Sequence, residues 1–129
     1  MIRRITLLGA TGSIGRSTLD VISRNPASFS LYAVSAHNNG PGLLDICRRF
    51  APAFAVYSGA DDEALMERAF RDEGLTTRLL RGASALELIA SDPLVDTVVA
   101  AIVGAAGLLP ALAAVNSGKR VLLANKEAL

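Results

Sequence analysis

The sequence predicts an α/β fold, a Rossmann-like doubly wound parallel sheet with helices on both faces. Short apolar stretches alternate with segments of helical period, the pattern of parallel strands joined by crossover helices. The first apolar stretch leads directly into a glycine-rich turn at residues 9–15. Hydrophobic residues make up 51% of the 129 residues, with much Ala, Leu and Val and no Trp. This composition suits a sheet that is buried on both faces.

The elements follow one another in regular order. Six strands are predicted, at residues 5–8, 30–35, 53–57, 77–80, 97–102 and 120–124. Five helices are predicted, at residues 13–24, 42–50, 61–73, 83–91 and 108–117. Asn25 and Pro26 end the first helix, because proline cannot continue it. The acids Asp61, Asp62 and Glu63 suit the start of the third helix, where the helix dipole favours negative charge. No internal repeat or interdomain linker divides the chain, so a single domain is expected.

The glycine turn has the spacing G-x-x-G-x-x-G. Gly9 lets the backbone turn sharply off the first strand, Gly12 lets a phosphate approach the main chain, and Gly15 lets the helix pack closely on the strand. The N–H groups of the helix's first turn would then face the anion. The position after an apolar strand and before a helical period favours a phosphate- or dinucleotide-binding site. The alternative is a tight strand–helix turn without a ligand.

Residues 98–115 form an uninterrupted run without a polar side chain until Asn116. Its length reaches the lower limit of a membrane-spanning helix. Gly104, Gly107 and Pro110 interrupt it, and they divide it into a buried strand, a glycine turn and a helix with proline in its first turn. We therefore expect no contact with a membrane.

Charge and cysteine content restrict the partners and the compartment. The net charge is +1 with the two signs interspersed, so no nucleic-acid partner is expected. The single cysteine, Cys47, cannot form an intramolecular disulfide, which favours a reducing compartment. We expect a cytoplasmic protein in which Cys47 is a small buried hydrophobic residue.

The end of the second strand bears on the choice of cofactor. In NAD-binding folds an Asp or Glu about 20 residues beyond the glycines binds the ribose diol. Here residues 35–40 contain no carboxylate, and His37, Asn38 and Asn39 can donate hydrogen bonds to a 2′-phosphate. This pattern favours NADP over NAD. The alternative is a polar surface loop that contacts no ligand.

Two later segments carry a specific resemblance. Residues 100–110, AAIVGAAGLLP, and residues 118–127, GKRVLLANKE, strongly resemble the 1-deoxy-D-xylulose 5-phosphate reductoisomerase family, and the glycine turn fits it too. The resemblance implies NADPH-dependent conversion of 1-deoxy-D-xylulose 5-phosphate to 2-C-methyl-D-erythritol 4-phosphate. This reaction belongs to the non-mevalonate route to isoprenoids and requires a divalent metal, Mg, Mn or Co.

The resemblance also implies site residues. Lys126 matches a position that binds the sugar-phosphate substrate, although without the resemblance a surface charge at a helix start would be the simpler interpretation. No catalytic or metal-binding residue is expected among these 129 residues. The positions that match cofactor contacts are Thr11, Gly12, Ser13, Ile14, His37, Asn38, Asn39, Asn125 and Glu127.

This chain departs from the family pattern in two ways. The family usually has Gly followed by Lys or Arg at the positions of His37 and Asn38, so a strict preference for NADPH is in doubt. Family members also carry an acidic metal-binding cluster, a closing loop and a C-terminal helical domain beyond the position of Leu129. We therefore expect residues 1–129 to form an N-terminal NADP(H)-binding domain, inactive alone and homodimeric at full length. The alternatives are a stand-alone nucleotide-binding module and another NADP-dependent dehydrogenase of the homoserine or aspartate-semialdehyde type.

Overall fold

The computed structural model describes residues 2–59, 63–102 and 104–123. Within them, six parallel strands form one sheet with the order β4-β3-β2-β1-β5-β6. The strands are β1 (Arg3–Leu8), β2 (Phe29–Ala36), β3 (Phe54–Tyr57), β4 (Arg78–Arg81), β5 (Thr97–Ala100) and β6 (Arg120–Leu123). The helices are α1 (Ser13–Arg24), α2 (Gly40–Phe50), α3 (Glu63–Asp72), α4 (Ala83–Ser91) and α5 (Leu108–Asn116). A short 3-10 turn, Gly104–Gly107, leads into α5.

The sheet is wound in both directions from β1, as predicted. Strands β1 to β4 follow one another outward, and the chain then returns to the other side of β1 to form β5 and β6. One core cluster contains Leu19 of α1, Leu43 of α2 and Phe70 of α3. A second cluster on the opposite face contains Ile89 of α4 and Ala114 of α5. The order of strands therefore reverses between β1 and β5, and folds of this type bind ligands at the carboxyl ends of the strands beside that point.

The central strand β1 contributes to both clusters. Leu7 packs in the first cluster and Leu8 in the second, and both are 0% exposed. Burial of such side chains stabilises a fold by about 1.5–3 kcal/mol each. The buried Thr6 hydroxyl donates a hydrogen bond to the carbonyl oxygen of Ile89, 2.8 Å away. A polar side chain is therefore tolerated here because its donor is satisfied.

A β-bulge in β2 changes which side chains face each cluster. Ile5 pairs with Leu31 but Thr6 pairs with Ala33, so Tyr32 is the extra residue. The Tyr32 ring packs against the second cluster and its hydroxyl donates to a carboxylate oxygen of Asp92 at 3.1 Å. Beyond the bulge, the side chains of β2 therefore face the opposite sides of the sheet from those that uninterrupted alternation would give. This change of phase extends to Ser35, near the end of the strand.

The predicted elements are all present, with corrections at their ends. The predicted bounds of α1 and α4 are confirmed. The predicted strand at 97–102 is too long, since β5 ends at Ala100 and Gly104, with φ +79°, lies at the following turn. Helix α2 begins at Gly40 rather than at residue 42 because Asn39 caps it and Pro41 is tolerated in a first turn. The remaining ends shift as follows: β1 begins at residue 3, β2 spans 29–36, β3 begins at 54, β4 spans 78–81, α3 ends at 72 and α5 ends at 116. Residues 61, 62 and 124 of the predicted elements lie outside the described residues.

Candidate nucleotide-binding site

The glycine turn is held against the ends of two neighbouring strands. Gly9 has φ +81°, in the left-handed region that favours glycine, and a Cβ there would lie 2.8 Å from the carbonyl oxygen of Ala101. The Gly9 N–H donates to the Ser35 hydroxyl at 3.0 Å, and the Ala10 N–H donates to the Ser35 carbonyl oxygen at 2.8 Å. Ser35 is only 2% exposed. The end of β2 thus fixes the conformation in which the turn leaves β1.

Gly12 and Gly15 differ in what surrounds them. A Cβ on Gly15 would overlap the Ala10 carbonyl oxygen and would lie 2.6 Å from that of Gly9, so α1 approaches the turn that follows β1 as closely as glycine allows. A Cβ on Gly12 would meet nothing within 4 Å. The predicted role of Gly9 is confirmed, whereas Gly15 allows close packing of α1 on the turn at Gly9 and Ala10 rather than on the strand itself. The predicted approach of a phosphate to Gly12 is compatible with the open space there and stays a prediction.

The first turn of α1 presents unneutralised positive potential to that open space. Gly12 is the N-cap residue and supplies no side-chain hydrogen bond, and no acidic residue lies in the first turn. The first N–H groups of a helix have no intrahelical acceptor, and the helix dipole adds partial positive charge there. Ser13 and Ile14 are exposed in this turn, Ile14 by 46%. This arrangement suits an anion such as a pyrophosphate.

A cavity of about 540 Å³ opens beside the turn, where the carboxyl ends of β1, β2 and β5 meet. Five predicted cofactor-binding residues line it, namely Thr11, Gly12, His37, Asn38 and Asn39. Seven further residues line it that the sequence analysis did not single out as cofactor contacts, namely Gly9, Ser35, Ser58, Leu86, Ala101, Ile102 and Ala106. A smaller cavity of about 220 Å³ shares His37, Ser58, Leu86 and Ala106 with it. The predicted Asn125, Lys126 and Glu127 lie outside the described residues.

The loop after β2 combines exposed donors with a packed backbone. His37, Asn38 and Asn39 are exposed, and the His37 Nδ1 lies 3.0 Å from the Ser58 hydroxyl oxygen. The Asn39 side-chain oxygen accepts a hydrogen bond from the Gly42 N–H at 2.9 Å, so it caps α2 and only its NH₂ group is available as a donor. A Cβ on Gly59 would overlap the His37 carbonyl oxygen. The segment that follows β3 therefore packs against this loop, and the sequence did not reveal this contact.

Three further features bear on the chemistry of the described part of the chain: metal ligands, membrane-spanning helices and the thiol of Cys47. Among residues 2–59, 63–102 and 104–123, no group of three or more His, Cys, Asp or Glu side chains could hold a metal ion. In the same residues, no helix is long and apolar enough to span a membrane. Cys47 is 1% exposed, as predicted, and its burial raises the pKa of the thiol to about 12. A thiol held neutral in this way is a structural residue rather than a nucleophile.

Comparison with known proteins decides the family. The family model described as 1-deoxy-D-xylulose 5-phosphate reductoisomerase matches residues 5–129. The chain belongs to this family. The predicted resemblance is thus confirmed, and the alternative of a homoserine or aspartate-semialdehyde dehydrogenase is wrong.

Curated relatives and solved structures agree with this assignment. The 1-deoxy-D-xylulose 5-phosphate reductoisomerases of Paraburkholderia xenovorans and Burkholderia vietnamiensis are each 55% identical over all 129 residues. The chain spans 32% of the length of these relatives. A crystal structure of the enzyme with NADPH, fosmidomycin and magnesium matches with a TM-score of 0.94 and 46% identity, over 99% of this chain and 31% of that one. The Zymomonas mobilis enzyme in complex with NADPH matches with a TM-score of 0.92 and 40% identity, over 100% of this chain and 33% of that one.

Proposed function

We propose that this chain is the N-terminal NADPH-binding domain of a 1-deoxy-D-xylulose 5-phosphate reductoisomerase. The observation that carries the proposal is the open glycine cradle at the β1–β5 switch point, in a chain of this family. Two solved relatives of the same fold hold NADPH. The whole protein would convert 1-deoxy-D-xylulose 5-phosphate to 2-C-methyl-D-erythritol 4-phosphate on the non-mevalonate route to isoprenoids.

The residues present fit the pyrophosphate and ribose of this cofactor. The N–H groups of Ser13 and Ile14 would hold the pyrophosphate, with Gly12 leaving room for it, because Gly12 carries no side chain and faces open space. Thr11 lies in the turn and lines the cavity beside it. Donors from His37 and from the Asn38 and Asn39 side-chain amides would bind the adenosine ribose and its phosphate.

The chemical step would take place at the other end of the cofactor. When bound, NADPH would supply the hydride for the reduction that accompanies rearrangement of the substrate's linear carbon skeleton into the branched skeleton of the product. We propose that Asn125 and Glu127 bind the cofactor and that Lys126 binds the sugar phosphate, as their match to the family motif implies. An ammonium group at position 126 can hydrogen-bond substrate hydroxyls and offset charge that develops on oxygen.

The metal does not fit the described residues, which provide no cluster of ligands for it. A solved relative contains magnesium. We propose that the full enzyme uses Mg, Mn or Co held by acidic residues other than those described here. We also propose that it is a cytoplasmic homodimer, and the absence of any cysteine besides Cys47 is compatible with a reducing compartment.

Turnover by the protein at its natural length tests this proposal. Adding 1-deoxy-D-xylulose 5-phosphate and Mg²⁺ should cause a protein-dependent loss of the absorbance of reduced nicotinamide, with 2-C-methyl-D-erythritol 4-phosphate as the product. Tight binding of NADPH without turnover would indicate a nucleotide-binding module and would refute the proposed reductoisomerase activity. Failure to bind NADPH at all would overturn both.

A further inference from the structure

A second groove lies between α1 and α2 and adjoins the candidate cofactor site. It encloses about 330 Å³, and its lining includes Thr11, Asn39, Arg16, Asp20, Asp45 and Arg49. Thr11 and Asn39 also line the larger cavity, so the two spaces meet at the carboxyl end of β2. The glycine turn alone does not assign this groove a role in cofactor binding.

The charged groups of this groove are compensated except for one. Asp20 pairs with Arg24 at 3.2 Å, and Asp45 pairs with Arg49 at 3.7 Å. The Arg49 guanidinium also lies over the Phe50 ring, 5.2 Å from its centroid. Arg16 has no side-chain hydrogen bond or ion pair within the described ranges. The groove therefore contains one exposed guanidinium that is available to an anion from outside the chain.

The position of Arg16 directs this charge toward the shared opening. Arg16 is the fourth residue of α1, and its N–H donates to the Gly12 carbonyl oxygen at 2.9 Å. Side chains in a helix tilt toward its N-terminus. We therefore expect the guanidinium to lie toward Thr11 and Asn39, which line the same groove, rather than toward the far end of the helix. Arg49, by contrast, lies in the last turn of α2 and is already paired.

A ligand phosphate can be expected at this opening. In doubly wound folds the adenosine ribose lies at the end of the second strand, and an Arg nearby accommodates a 2′-phosphate. The loop at 37–39 has no carboxylate that would repel such a group, and Asn38 supplies only a neutral donor. Guanidinium–phosphate hydrogen bonds are charge-assisted and are roughly twice as strong as neutral ones.

We propose that Arg16 is the residue that recognises the 2′-phosphate of the cofactor, with the Asn39 NH₂ group as a second donor. The inference rests on the proposed NADPH binding and adds the residue that sets the preference for NADPH over NADH. It places the specificity-determining charge on α1, across the groove from the β2–α2 loop. The ligand feature recognised is a phosphomonoester on the adenosine ribose.

The test compares paired ligands that differ in this phosphate. Affinities of the protein at its natural length are measured by calorimetry at fixed salt for NADPH and NADH, and for adenosine 2′,5′-bisphosphate and AMP. Arg16→Gln should lower the affinities for NADPH and for the bisphosphate about tenfold or more, because a charge-assisted hydrogen bond is lost. The affinities for NADH and AMP should not change. Arg16→Lys keeps the charge and should retain most of the preference.

The matched control is Arg68→Gln, which removes an exposed arginine of α3 that lies outside the groove lining and pairs with no residue of the groove. It should change none of the four affinities. Suppose that the wild type binds both dinucleotides and that Arg16→Gln lowers the affinities for NADPH and NADH equally, or lowers neither. The proposed role of Arg16 is then refuted, although the proposed binding of NADPH is not. If the wild type binds neither dinucleotide, the proposed function fails and the inference fails with it.

Discussion

Substitution of two glycines in the same turn should distinguish a loss of cofactor binding from a loss of folding stability. Gly12 has φ −79° and ψ 178°, an extended conformation that valine adopts without strain, and its Cβ would meet nothing within 4 Å. Valine is a poorer N-cap than glycine, so Gly12→Val should cost about 1 kcal/mol of folding free energy or less. The variant should therefore fold and remain nearly as stable as the wild type.

The binding of NADPH by the Gly12→Val variant should nevertheless fall. The branched side chain would occupy the space in front of the Ser13 and Ile14 N–H groups, where the pyrophosphate is proposed to lie. We expect a loss of well over tenfold in affinity, more than about 1.4 kcal/mol. The loss should be the same for NADH, since both cofactors contain the pyrophosphate.

Gly15→Ala is the matched variant with the smaller added side chain. Its Cβ would overlap the Ala10 carbonyl oxygen, and this neighbour is backbone that cannot rotate away. Overpacking of this kind typically costs about 1–3 kcal/mol, occasionally more. We expect a clear loss of stability, and a loss of binding as a consequence of the displaced helix.

Urea unfolding and calorimetric titration with NADPH separate these effects. The expected pattern is a stable Gly12→Val that binds poorly and a destabilised Gly15→Ala. Equal NADPH affinities of Gly12→Val and the wild type would sink the pyrophosphate assignment. A Gly15→Ala variant as stable as the wild type would show that α1 does not approach the turn after β1 as closely as described.

Further outcomes can be measured on the same protein. Asn38→Arg should raise the affinity for NADPH more than that for NADH, and equal shifts in a titration of both would show that this loop does not contact the 2′-phosphate. A polypeptide of residues 1–129 should not oxidise NADPH in the presence of substrate and Mg²⁺, because positioning by the rest of the enzyme supplies a large part of catalysis, and steady turnover would refute this. Cys47 should resist thiol reagents at mildly alkaline pH until the protein is unfolded, since burial raises its pKa to about 12, and fast labelling of the native protein would contradict its burial. The hydrogen bond from Arg48 lowers the pKa of Glu73, so the pair stabilises the fold above about pH 4.3 and less as the pH falls below it. In urea unfolding, the stability gap between wild type and Glu73→Gln should therefore shrink in acid, and a gap that widens there would refute the pairing.

The sequence by itself determined the order and type of the elements and the place of the glycine turn between β1 and α1. Strands alternate with helices in the hydrophobic pattern, and patterning of this kind is local, so it can be read along the chain. The need for glycine at positions 9 and 15 also follows from the short path between a strand and the helix that packs on it. The family motifs at residues 100–110 and 118–127 then pointed to the cofactor.

Only the tertiary structure decided which residues share the site. The return of the chain from β4 to β5 brings Ala101 and Ile102 against the turn at Gly9, although 92 positions separate Gly9 from Ala101 in the sequence. Leu86 reaches the cavity from α4 on the opposite face, and Arg16 and Asn39 line the same groove between α1 and α2. Such contacts depend on strand order and helix packing, which join distant segments, and no local pattern in the sequence specifies them.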